Sequence, residues 1–202
     1  MLLRVAIIVM AYLIGSIPTA LIFSSSFHGR DIRTVGDGNM GAHNVQREYG
    51  FKSGFLVAII DMAKGTIAVL LAMILQFPLN WQLAAGAAAI LGHDFSIFAQ
   101  FRGGQGLAIT AGVFFALFPK FALIGTVIYG LIYLVFRNSN IAASVCMGTY
   151  ALMVYFAKEP LIIVVFIITV LVFIPVKRLM DKPRRRRILS EVPINKNNGK
   201  ED

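Results

Sequence analysis

Cysteine occurs once in these 202 residues, at Cys146, so no intramolecular disulfide can form and the redox compartment stays open. Histidine occurs three times, dispersed, with no spacing that would close a zinc site, and neither a metal nor another cofactor is expected. Charge is scarce as well: 14% of residues are charged against 57% apolar, which excludes an ordinary soluble domain and places the chain in a bilayer. Internal repeats are lacking, which argues against a transporter built from inverted halves. Of the cations behind the net charge of +9, seven lie between Lys177 and Arg187. A basic run after an apolar helix reads as an anchor on anionic lipid head groups rather than as a nucleic-acid surface.

What is abundant is apolar sequence. Runs near spanning length cover 5–23, 55–79, 83–101, 107–118, 121–136, 141–157 and 161–176. The amino end is basic and apolar, but no convincing small-x-small cleavage site follows, so the first helix is expected to be retained. The fourth run is short, which leaves five or six spans with a re-entrant piece as the alternative to seven. Seven spans with the amino end outside put fifteen Lys and Arg on the cytoplasmic side against three outside, with Lys64 inside a span. The expected fold is therefore all-α: a polytopic membrane protein of seven transmembrane helices, N-terminus outside and C-terminus cytoplasmic. Residues 1–180 form its single membrane domain, and 181–202 form a basic tail whose composition cannot support a packed core.

This topology brings two glycine-rich loops to the cytoplasmic face. The first reads "GDGNMGAHNVQREYG", Gly36 to Gly50. Its G-x-G-x-x-G match lacks the strand and βαβ unit that a dinucleotide site requires. Asp37, Gly38, Asn39, His43, Asn44 and Arg47 lie here; Asn39, His43 and Arg47 would share a face if the segment is helical, and Arg47 offers a fork suited to phosphate. The bland alternative is a solvated turn. The second loop, "FRGGQG", contains Arg102, Gly103, Gly104, Gln105 and Gly106 and leads into an apolar helix. Exposed N–H groups at such a start can seat an anion, though glycine-rich turns between spans are also common. Asp61 and Lys64 share one helical face within an apolar span, either as a structural pair or lining a polar site. His93 precedes the second loop. Soluble acyltransferases place an Asp five residues after the catalytic His, but that position is Phe98, so His93 reads better as a hydrogen-bonding support than as a base.

Taken in order and spacing, "AYLIGSIPTA", "DIRTVGDGNMGAHNVQREYG", "DMAKG" and "LGHDFSIFAQFRGGQGLA" resemble the bacterial integral-membrane glycerol-3-phosphate acyltransferases that use acyl phosphate, the PlsY family. The resemblance implies a bacterial cell-membrane enzyme, its site on the cytoplasmic face. Such enzymes transfer an acyl group from acyl phosphate to the 1-hydroxyl of glycerol 3-phosphate, giving lysophosphatidate, the first step of phospholipid synthesis. A substrate phosphate has been proposed as the base. Expected partners are the two substrates and membrane lipids, with room for a partner protein that supplies acyl phosphate. By this resemblance Asp37, Asn39 and Arg47 are the candidate catalytic residues. Gly38, Asn44, Lys64, His93, Arg102, Gly103, Gly104, Gln105, Gly106 and Ser144 are candidates for substrate and phosphate binding.

The chain also departs from the family pattern. Asp37 stands where a Ser is usual, His43 where a Thr is, and Gln105 where the loop carries a Lys. Only Ser144 remains of a Ser-x-x-Ser pattern, and "PVKRLMDK" lacks the His and Asn expected near the last span. Losing one charge-assisted contact costs about 1.5–3 kcal/mol, roughly ten- to a hundredfold in affinity. A catalytically silent or substrate-shifted paralogue that binds lipid or modulates a partner is therefore the alternative.

Overall fold

The structure, a computed structural model, describes the backbone of residues 1–191 and their side chains except at 139, 140 and 183–191. Among the described residues it is all helical: α1 (Leu2–Ser16), α2 (Thr19–His28), α3 (Ala42–Tyr49), α4 (Phe51–Ile74), α5 (Leu79–Asp94), α6 (Leu107–Leu117), α7 (Pro119–Phe136), α8 (Ser139–Phe156) and α9 (Leu161–Glu191). Each apolar run of the sequence is helical here. The first is broken by Ile17 and Pro18, because proline supplies no N–H and disfavours helix at the residue before it. Among the described residues four stretches are long and apolar enough to cross a membrane: Leu2–His28, Phe51–Ile74, Pro119–Phe136 and Leu161–Lys182. The 11 residues of α6 reach about 16 Å at 1.5 Å per residue, half of a ~30 Å hydrocarbon core. α9 continues to Glu191, past the domain boundary set at 180 on composition, while 192–202 of the expected tail lie outside the described residues.

α4 is the centre of the bundle, packed on α1, α3, α5 and α6; α1 crosses α5, and α7 pairs with α8, which packs on α9. Small residues set these approaches. A Cβ at Gly112 would collide with the Met62 carbonyl, and one at Gly65 with that of Ile109, so α4 and α6 touch backbone to backbone. Gly15 against Ala89 and Gly92 against Tyr12 do the same for α1 and α5. The interior is filled by Val69, Val113, Val154 and Ile167 around a stack of Phe114 on Tyr150, ring centroids 4.4 Å apart. Outward, Leu123, Val127, Leu131 and Leu134 form an exposed apolar stripe on α7. Stripes of that kind are a liability in water and a match for lipid tails.

Two polar ties hold the break in the first apolar run. The carbonyls left open where α1 ends are met by α4 and by the turn after α5: Lys64 Nζ donates to Ile17 O at 2.7 Å, and Ser96 Oγ donates to Ser16 O. Lys64 also pairs with Asp61 Oδ1 at 2.7 Å, and Thr19 Oγ1 donates to that same oxygen at 2.9 Å. Both charges are buried, so each needs the partners it has.

Candidate active site

A cavity of about 480 Å³ opens between the first loop, the second loop, α8 and α9. Its wall has two characters. Asp37, Asn39, Gln105, Ser144, Arg178, Asp181 and Lys182 supply polar groups, whereas Leu107, Ala143, Met147, Leu171, Ile174, Pro175 and Leu179 supply an apolar side. Four of the residues expected from sequence thus meet here from three separate segments: Asp37, Asn39, Gln105 and Ser144.

The first loop holds its shape through side chains that replace backbone ladders. Asn44 is the organiser: its Oδ1 accepts from Asp37 N at 3.1 Å, and its Nδ2 donates to the carbonyls of Val35 and Asn39, each at 3.1 Å. Asp37 Oδ1 accepts from Asn39 N at 3.1 Å, and Asn39 Oδ1 from Gly41 N at 2.7 Å, two successive side-chain turns. A Cβ at Gly36, whose φ is +59°, would also strike Asn44 Oδ1. Asn39 precedes α3, so only His43 and Arg47 of the expected helical face lie on that helix. Arg47 Nη2 stands 3.2 Å from Asp37 Oδ2 and donates to Asn44 Oδ1 at 3.2 Å, which places it behind Asp37. At the loop's start the Arg33 fork holds the Asp31 carboxyl below its ordinary value, and the charge of Arg102 adds to this, so the two loops adjoin.

The second loop is folded onto the end of α5. Gly104 N donates to His93 O at 3.1 Å; a Cβ at Gly103 would strike the carbonyls of His93 and Asp94, and one at Gly104 would strike the His93 ring. Gly106, at φ +71°, caps α6 over the Asp94 carboxylate, which is fully buried with neither oxygen hydrogen-bonded. The loop's inner face is therefore occupied by the protein itself, and Gln105 is its member on the cavity wall.

His93 lies beneath this loop, buried, its Nδ1 3.7 Å from Asp61 Oδ1. Lys64, engaged with Asp61 and the α1 carbonyls, belongs to that same buried network, and neither residue reaches the cavity wall. Arg102 is exposed and off the wall. Sequence reasoning missed Arg178, Asp181 and Lys182. Their signal was the spacing of Lys177 and Asp181, and of Arg178 and Lys182, four apart at the end of an apolar run. Lys177 Nζ meets Asp181 Oδ2 at 2.6 Å and sits 5.1 Å from the centre of the Phe95 ring, pinning α9 to the end of α5. Among the described residues no group of His, Cys, Asp and Glu could hold a metal ion.

An all-helical bundle of lipid-facing helices, with a cavity polar on one side and apolar on the other between two glycine-rich loops and a cationic helix end, defines the class: an integral membrane protein with an amphiphilic site. The model of the glycerol-3-phosphate acyltransferase family matches residues 5–184, and the chain belongs to that family. Glycerol-3-phosphate acyltransferase 2 of Bacillus anthracis is 43% identical over 168 residues, 80% of this chain and 88% of that one. The glycerol-3-phosphate acyltransferase of Endomicrobium trichonymphae is 37% identical over 192 residues, 92% of this chain and 96% of that one. The crystal structure of PlsY (YgiH), an integral membrane glycerol 3-phosphate acyltransferase in its glycerol 3-phosphate form, superposes with a TM-score of 0.80 at 32% identity, over 93% of this chain and 92% of that one.

Proposed function

We propose that this acyltransferase moves an acyl group from acyl phosphate to the 1-hydroxyl of glycerol 3-phosphate, in a cavity that faces the cytoplasm. The observation that carries the reading is the cavity's two-sided wall: polar and cationic groups from both loops and α9, beside apolar groups of α6, α8 and α9. Substrates with a phosphate head and an acyl tail fit that division.

No histidine lies on the wall to activate Ser144, which argues for a donor that arrives already activated. The acceptor oxygen attacks the acyl carbonyl carbon, the carbon–oxygen bond to phosphate breaks, and the hydroxyl proton leaves with the departing phosphate. The protein's part is to align the two reactants and balance their charge. Asp37, on the wall with Arg47 behind it, orients the acceptor hydroxyl; Asn39, its Oδ1 committed to Gly41, offers its NH₂ to a substrate oxygen. Gln105 donates from the second loop, and the glycines set the loop's path. His93 and Lys64 support that floor from below.

Purified protein with radiolabelled acyl phosphate tests this directly, using glycerol 3-phosphate or neutral polyols as acceptor. Labelled lysophosphatidate is the expected product. Turnover with neutral polyols alone would support the substrate-shifted reading, which the Asp37 carboxylate on the wall favours. No turnover with any acceptor by folded protein would leave the silent paralogue.

A further inference from the structure

Four charged side chains stand on the cavity wall: Asp37, Arg178, Asp181 and Lys182. Each carboxylate is already matched by a cation behind the wall. Arg47 lies 3.2 Å from Asp37 and is shared with Glu48 at 4.0 Å, and buried Lys177 lies 2.6 Å from Asp181. Arg178 and Lys182 pair with no carboxylate among the described residues. Two cations on the wall are thus without a carboxylate among the described residues, and both come from α9, four residues apart and so on one face. The glycine-rich loop, which a phosphate site would be expected to arm with a cation, brings only neutral Gln105.

We infer that Lys182 is a specificity-determining residue: with Arg178 beside it, it receives the acceptor's phosphate at the cavity mouth and supplies the charge that the second loop lacks. The inference rests on the acyl-transfer reading above. The two cations divide the work by their chemistry. Arg178, half-buried, offers a planar fork, whereas Lys182, exposed, is a hydrated point charge on a flexible stem that can follow a phosphate in and out. Exposure also means that salt screens the contact, since the Debye length is about 10 Å at 0.1 M. The competing account is that Lys182 is one more member of a basic run resting on lipid head groups.

Lys182→Gln in the full-length protein, assayed in neutral-lipid nanodiscs, separates the two. The expected result is a rise of about tenfold in KM for glycerol 3-phosphate at low salt, with kcat within about threefold. The rise should shrink as salt is added, and KM for glycerol as acceptor should not move. Lys182→Arg should keep most of the wild-type KM. Lys52→Gln, an exposed cation off the cavity wall, should leave it within about twofold. Gln105→Lys added to Lys182→Gln should restore KM by returning the charge from the second loop, and it serves as the measurement if the single variant is poorly folded. An unchanged KM in Lys182→Gln, or no restoration by the added lysine, overturns the inference while leaving acyl transfer intact. A wild-type protein that does not acylate glycerol 3-phosphate at all removes the function and the inference together.

Discussion

Lys64 shows how one buried side chain can be essential without touching substrate. Its ammonium joins Asp61 on its own helix to the Ile17 carbonyl at the break between α1 and α2. Removing one partner of a buried ion pair strands the other, at about 3–5 kcal/mol. Lys64→Met should therefore lower the unfolding midpoint in detergent steeply, and Lys64→Met with Asp61→Leu should recover part of the loss. Recovery to no degree would mean that the carbonyl contact, not the pair, dominates. Asp61 and Lys64 were legible as partners because the i,i+3 spacing places them on one helical face. The Ile17 carbonyl was not, being separated by 47 positions in sequence. Asp37 and Gln105 were legible as departures, and the cavity gives those departures one location. Together, Asp37→Ser and Gln105→Lys make the wall two units more positive and should lower the apparent KM for glycerol 3-phosphate. A fall in kcat/KM instead would show that the two residues are adaptations to another acceptor.

At the scale of the element, the apolar runs located the long helices but neither the polar α3 nor the break between α1 and α2, and they could not tell which helices touch. That information is held by glycines, whose lack of a side chain leaves no periodic mark. Gly112 and Gly65 let α4 and α6 meet backbone to backbone, so Gly112→Ala must push the pair apart, at about 1–3 kcal/mol by the usual cost of overpacking. Gly130, on α7, has open space where a Cβ would go. Gly130→Ala should leave the thermal midpoint unchanged or raise it, since alanine is the better helix former by up to ~1 kcal/mol. Thermal unfolding of both variants in one detergent checks the contrast, and equal midpoints would contradict the close approach. Similar reasoning applies to α9. Composition set a domain boundary at 180, a few residues after charge begins at Lys177; the helix runs on to Glu191 and carries Arg178, Asp181 and Lys182 onto the cavity wall. Composition records solvation, not backbone conformation, so a helix that carries charge beyond its apolar run leaves no mark in it.

For the whole molecule, sidedness follows from how often the chain crosses. Among the described residues four stretches meet the length and apolarity for a span, and α6 at 11 residues does not. Charge asymmetry predicts seven crossings, which requires α6, packed on α4 and α7, to cross where the bilayer is thinner than its usual core. The consequence is a sidedness that labelling can read. In a Cys146→Ser background, single cysteines at Lys120 and Lys158 should react with an impermeant maleimide added to intact cells. Cysteines at Arg30 and Arg137 should react only after the membrane is opened. All four positions are exposed at helix ends, so burial does not blur the result. If Lys120 reacts only from inside, α6 re-enters rather than crosses and the later helices change sides. Because Gln105 and the start of α6 are joined to that short helix, such an outcome would also make the cavity's floor a re-entrant element, open to movement in a way that a packed span is not.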